Sequence, residues 1–209
     1  MTMNVALARV AAGLLGCALV VGGAGAALAD ENRTQQRDAE GQAAPVGALT
    51  LSVASTATTL TEVPSSDANV RQFTGSLPEV TVTDDRAIIP SGAVWYVTGQ
   101  ASSLTSGSRS IDAGHLGWAP KVITTSGHGE VASGDVVNTV LDAATADTPL
   151  NDGLASAHLL ALSVDSRASA AVGSWTAGAD LFLRVPRTVE PGAYSGTITL
   201  TLWEEAQPQ

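Results

Sequence analysis

A chain of 209 residues has room for one domain with a modest core once any targeting segment is set aside. Its 20 acidic residues outnumber 10 basic ones, and Lys121 is the sole lysine. The clustered positive charge that holds nucleic acid or an anionic lipid surface is therefore missing. Cys17 is the sole cysteine, which excludes an intramolecular disulfide and a thiolate zinc centre and leaves stability to buried apolar area.

Residues 1–29 have the three parts of a secretory signal peptide: Arg9 behind a short polar start, an apolar run over 10–28, and an Ala27-Leu28-Ala29 exit before Asp30. A signal peptidase requires small side chains at the two positions beside the scissile bond, and Ala27 and Ala29 supply them. Cleavage there starts the mature protein at Asp30 and removes the cysteine. Two other readings compete. Leu14-Leu15-Gly16-Cys17 has the form of a lipobox, in which a lipidated Cys17 becomes the N-terminus, but the apolar run continues past Cys17 to Leu28. An uncleaved helix nearly long enough to cross ~30 Å of hydrocarbon is the other. The run is rich in Gly and Ala and ends on the A-x-A site, so cleavage is preferred, with secretion and no membrane insertion afterwards.

Residues 30–45 (DENRTQQRDAEGQAAP) are polar and aperiodic, and read as a disordered leader. From Val46 onward, short runs of Val, Leu, Ile, Thr and aromatics alternate with Gly, Pro, Ser and Asp, the texture of an all-β protein. Strands are expected at 49–53, 80–82, 94–98, 121–125, 157–164, 179–185 and 194–203. In the last, Tyr194, Gly196, Ile198, Leu200 and Leu202 share one face, with Ser195, Thr197, Thr199, Thr201 and Trp203 on the other. Residues 179–185 set Leu181, Leu183 and Val185 against Asp180, Phe182 and Arg184. The stretches 94–98 and 157–164 are apolar on both faces and read as central strands covered on each side. Residues 135–144 come nearest to a helix but are β-branched, and read as a strand running into a loop. The longest loop is 142–153, and Gly127-His128-Gly129 and Glu190-Pro191-Gly192 mark tight turns. Without helices to cover them, the strands must pack sheet on sheet. The expected fold is a β-sandwich of mainly antiparallel strands over 46–205, followed by a tail at 206–209.

Chemical motifs are sparse. No Gly-x-Ser-x-Gly nucleophile elbow occurs. His115 and His128 fall in Gly-rich loops and His158 in an apolar strand, so the first two are expected exposed and the third packed against the core. A dispersed Ser-His-Asp site is the enzymatic alternative. The histidines lack metal-ligand spacing. Asp142, Asp147, Asn151 and Asp152 gather near one loop but without the D-x-[DN]-x-[DN]-G pattern of a calcium site. Asp84-Asp85 reads as a strand-ending turn. No cofactor or metal is expected. Leu77-Pro78-Glu79-Val80-Thr81 is only superficially like a wall-sorting signal, lies mid-chain and is followed by no apolar span or basic tail at 204–209, so any hold on the cell surface is expected to be non-covalent.

Two segments carry a family resemblance. The first is Val80-Thr81-Val82-Thr83-Asp84-Asp85-Arg86 followed by Ala93-Val94-Trp95-Tyr96-Val97-Thr98-Gly99-Gln100; the second is Leu183-Arg184-Val185-Pro186, Pro191-Gly192-Ala193-Tyr194 and the Thr-rich strand to Leu202. Together they resemble the WxL-domain proteins of Gram-positive cell surfaces, where a strand ending in Asp-x-Arg precedes a Trp-x-Leu strand and a final strand carries a second tryptophan motif. The chain departs from that pattern in two places. Val97 stands where the family has Leu, and Leu200 stands at the second tryptophan, with Trp203 displaced to the opposite face by alternation. The resemblance implies a secreted, non-enzymatic protein held non-covalently at the peptidoglycan wall, with cell-wall glycan or other surface proteins as partners. Trp95 matches the first motif, although a tryptophan in an apolar strand ordinarily fills the space between sheets. Trp118 is expected in a loop packed on the sandwich end. The candidate glycan contact is Trp203 bordered by Thr199 and Thr201, with Trp95 as the motif residue. The alternatives are an exported hydrolase and a subunit of a surface assembly that joins strand edges with another exported protein.

Overall fold

The computed structural model describes residues 47–124 and 130–206, together with the backbone of residues 2–3 and 16–20. The rest of the expected signal peptide, the whole of the leader, the Gly127-His128-Gly129 turn and the end of the tail lie outside the described residues. In chain order the strands are β1 (Thr2–Met3), β2 (Gly16–Val20), β3 (Leu49–Val53), β4 (Ala57–Val63), β5 (Val70–Ser76), β6 (Val80–Asp84) and β7 (Ala93–Ala101). They continue with β8 (Leu104–Ser106), β9 (Arg109–Ile111), β10 (Leu116–Val122), β11 (Val131–Ser133), β12 (His158–Ser163), β13 (Ser174–Pro186) and β14 (Ala193–Ala206). One short α-helix, α1 (Ser166–Ala170), and 3-10 turns at Ala113–His115 and Gly153–Ala155 complete the described elements.

Two antiparallel sheets pack together, as an all-β sandwich requires. The first runs β11-β12-β7-β14, and β8 takes over from β7 along β14 at Ser195↔Thr105, with β9 hairpinned to β8. The second is organised on β13. β10 lies along one edge of β13, and β5 and β6 lie end to end along the other, paired in turn with β4 and β3. The edge of β14 away from β7 is paired with β1 and, in parallel, with β2, which is also antiparallel to β4.

The alternation of the last two strands produces the core directly. Leu181, Leu183 and Val185 of β13 and Tyr194, Ile198, Leu200 and Leu202 of β14 are buried, while Asp180 and Trp203 are exposed. Removing each large apolar side chain from water stabilises the fold by roughly 1.5–3 kcal/mol. The end of the sandwich is closed by α1. Asp165 caps it, accepting from the backbone N–H groups of Arg167 and Ala168, and Gly173 (φ 89°) turns the chain into β13 in a conformation open to glycine. Ser169, 1 % exposed, ties both sheets to this helix. Trp95 of β7 donates its indole N–H to the Ser169 hydroxyl at 3.0 Å, and Trp175 of β13 donates to the Ser169 carbonyl at 2.8 Å.

Several expectations need correction. Residues 94–98 and 157–164 are central within their sheet, but 94–98 is buried on one face only, and 157–164 buries Leu160, Ala161 and Ser163 around a shift in its pairing with β7. Trp95 and Val97 are buried while Val94, Tyr96 and Thr98 are half-buried, and Val164 lies beyond β12, 68 % exposed. The strand expected at 121–125 begins earlier, at Leu116, and takes Trp118 from the expected loop into a fully buried strand position. Pro120 is tolerated there because β10 is an edge strand. Residues 135–144 form no strand beyond a single bridge, Val137↔Trp118. The chain reverses before β14 at Pro186–Val189, where the Val189 N–H donates to the Pro186 carbonyl at 3.0 Å, ahead of the expected 190–192 turn. Among the described residues no helix is long and apolar enough to cross a membrane.

Candidate functional site

The outward faces of β7 and β14 meet in register as Tyr96↔Trp203, Thr98↔Thr201 and Gln100↔Thr199. Side chains directly opposite on adjacent strands are neighbours, so the two aromatics must touch. Their rings stack with centroids 6.1 Å apart and planes 17° from parallel. Trp203 is 47 % exposed, and its indole N–H donates to the Thr98 hydroxyl at 3.0 Å. Tyr96 donates its hydroxyl to Glu205 Oε1 at 2.8 Å. That hydrogen bond, with the remaining desolvation and the adjacent negative charge, holds the phenol above the ordinary tyrosine range. The result is a half-exposed indole fixed flat beside a tyrosine, with Thr98, Thr199 and Thr201 alongside. Because the indole N–H is already engaged, the surface offers a ring face for stacking, flanked by hydroxyls and one carboxylate.

Of the four residues singled out in the sequence, the fold brings Thr199, Thr201 and Trp203 onto this face and leaves Trp95 on the other side of β7. Trp95 is 1 % exposed and packs between the sheets. Leu200, at the position of the family's second tryptophan, is completely buried, and Trp203 lies on the opposite face as alternation demands. Three members of the face, Tyr96, Thr98 and Glu205, are not in the sequence-level set. The available signal was that Tyr96 and Trp203 have the same outward parity on neighbouring strands.

Several polar residues away from this face are engaged in holding the fold. Asp84, expected in a simple turn, is 5 % exposed and accepts two bonds from the Arg86 guanidinium, Nε to Oδ1 at 2.8 Å and Nη2 to Oδ2 at 2.7 Å. Arg86 also pairs with Glu204 of β14, so it clamps one sheet to the other, and Asp84 in the first place holds its guanidinium above the usual arginine range. A shallow depression of about 440 Å³ beside it is lined by Arg86, Ala87, Ile88, Ile89 and Arg167. Arg167 is likewise committed, donating to the Ile89 carbonyl at 3.0 Å.

His115, expected exposed, is half-buried with Nδ1 2.8 Å from the Arg184 carbonyl oxygen. His158 has Nε2 3.0 Å from Asp152 Oδ1, and His128 lies outside the described residues. The loop carboxylate Asp142 accepts from the Thr139 backbone and hydroxyl and pairs with Arg184. Among the described residues no three His, Cys, Asp or Glu side chains gather as a metal site. Comparison of the chain with protein-family models, with curated proteins and with solved structures finds no match.

Proposed function

We propose that this is a secreted, non-enzymatic β-sandwich protein that associates non-covalently with the cell wall, in the manner of the WxL-domain surface proteins its motifs resemble. The observation that carries the reading is the Tyr96–Trp203 stack on a threonine-lined strand face. A sugar ring presents a flat C–H face to an aromatic ring and hydroxyls to its neighbours, and Trp203 with Thr199 and Thr201 offers both kinds of contact. Trp95 serves this function as a core residue that anchors β7 to Ser169, and makes no glycan contact itself. The net negative charge suits a protein whose wall contact is made by rings and hydroxyls instead of charge.

The test is retention of the exported protein on purified peptidoglycan. Trp203→Ala is expected to abolish most retention while the thermal midpoint stays within a few degrees, because the indole is half exposed. Retention unchanged by Trp203→Ala removes this face from the wall contact. Absence of retention in the parent protein removes the wall function.

A further inference from the structure

One side of the sandwich is left open by the strands that begin at Leu49. There β4 of one sheet and β14 of the other lie a single strand apart, unpaired with one another, and β2 occupies the space between them. It runs parallel to β14 with Tyr194↔Cys17 and Gly196↔Leu19, and antiparallel to β4 with Leu60↔Cys17 and Thr58↔Leu19. Position 17 of the inserted strand thus stands opposite Leu60 and Tyr194, 1 % and 2 % exposed, in the row that faces the core. Position 18 stands opposite the exposed Thr59 and the half-buried Ser195, in the outward row. Bare of β2, the two strands would present rows of backbone N–H and C=O groups, a template for pairing.

β2 belongs to residues 1–29, which the sequence marks for removal on export. We infer that the exported protein is a strand acceptor: the β4–β14 slot takes an apolar extended segment of a separate exported polypeptide, parallel to β14. This rests on the reading that residues 1–29 are removed. The chain's own leader is a poor substitute, since residues 30–45 offer the inward row nothing apolar beyond alanine and Pro45, which has no N–H for the ladder. A second copy cannot donate without unfolding. A strand inserted between two edges needs both of its own edges free, and every strand from β3 to β14 is already paired on at least one side. Recognition then follows the strand-addition mode, with backbone bonds giving affinity and alternate side chains giving specificity.

The experiment uses the exported protein collected from the cell that makes it, with its mass measured first. The probe is a synthetic peptide of residues 14–22, Leu-Leu-Gly-Cys-Ala-Leu-Val-Val-Gly, kept reduced. It is expected to bind one to one and to raise the thermal midpoint. The Cys17→Asp peptide, which sets a charge against Leu60 and Tyr194, should bind at least about tenfold more weakly. The Ala18→Asp peptide, aimed at Thr59, should bind about as tightly as the parent. In the producing cell, a benzophenone amino acid in place of Thr59 should yield an adduct with a different exported polypeptide, and the peptide should compete it away. Absence of binding, equal weakening by both aspartates, or an adduct with a second copy overturns the proposal while leaving export intact. A mass that retains residues 17–20, with or without lipid on Cys17, overturns it by a different route, because the slot then stays filled by the chain itself.

Discussion

Replacing Arg86 by methionine tests whether one guanidinium joins the two sheets. Its side chain is 15 % exposed and that of Asp84 3 %, so the pair is largely shielded from water. Removing the arginine leaves the Asp84 carboxylate with a single backbone donor, the Arg86 N–H at 3.3 Å, in place of two guanidinium bonds. Breaking a buried pair from one side costs ~3–5 kcal/mol, because the other charge stays behind unpaired. The partly exposed Glu204 contact adds at most ~1 kcal/mol. The lower end, about 3 kcal/mol, is the appropriate expectation for a pair near the end of the sandwich, and at ~2–4 °C per kcal/mol it lowers the thermal midpoint by roughly 6–12 °C. The assay is calorimetric or circular-dichroism melting of the purified protein. Asp84→Asn combined with Arg86→Met should recover much of the loss, since the stranded charge is then gone. A fall of under ~2 °C, or a double variant no better than the single one, would refute the clamp.

Three further outcomes follow from the packing and the aromatic face. Gly99→Ala places a methyl 2.6 Å from the Trp118 ring, which is fully buried, so a loss of ~1–3 kcal/mol is expected by chemical denaturation; no loss would mean the ring has room to move. Ser169→Ala strands the Trp95 indole N–H in the core while the Trp175 bond to the backbone survives, and should cost ~1–3 kcal/mol with a change in near-ultraviolet dichroism. Tyr96 has a raised folded value, so the stabilisation it contributes is complete below the ordinary tyrosine value of 10.0 and fades as pH rises through the higher folded one. Absorbance titration should therefore show a late phenolate step that Tyr96→Phe removes and Glu205→Gln shifts downward; a late step surviving Tyr96→Phe contradicts the assignment.

The parts of the fold that were legible in the sequence are those where one face is buried and the other wet. β13 and β14 alternate Leu and Ile with Thr, Asp and Arg, so strand identity and inward face could both be read from single residues. β4 and β5 escaped notice because they bury few apolar side chains, Leu60 in the first and Val70 and Phe73 in the second, too few to make a period visible. Trp118 was hidden by its flanks, since Gly117 and Pro120 signal a turn unless one knows that the strand lies at an edge. The face around Trp203 was half legible. Parity placed Thr199, Thr201 and Trp203 together, whereas the neighbours Tyr96 and Thr98 depend on how β7 slides against β14. Register of that kind is set by tertiary packing across about a hundred residues of chain, which no local pattern encodes. For the same reason Asp84-x-Arg86 was visible as a motif while its link to Glu204 was not.

The order of the strands has a kinetic consequence. β13 in the interior of one sheet and β14 along β7 in the other, the last strands made, meet partners synthesised long before them, as in Leu181↔Gly75 and Ile198↔Ala101. Closing such long loops is entropically costly before any contact rewards it, so assembly is slow and has to wait for the C-terminal residues. A chain threaded through a narrow channel from its N-terminus would thus stay extended until nearly all of it had passed, and truncation by even a few tens of residues would remove the spine of both layers at once.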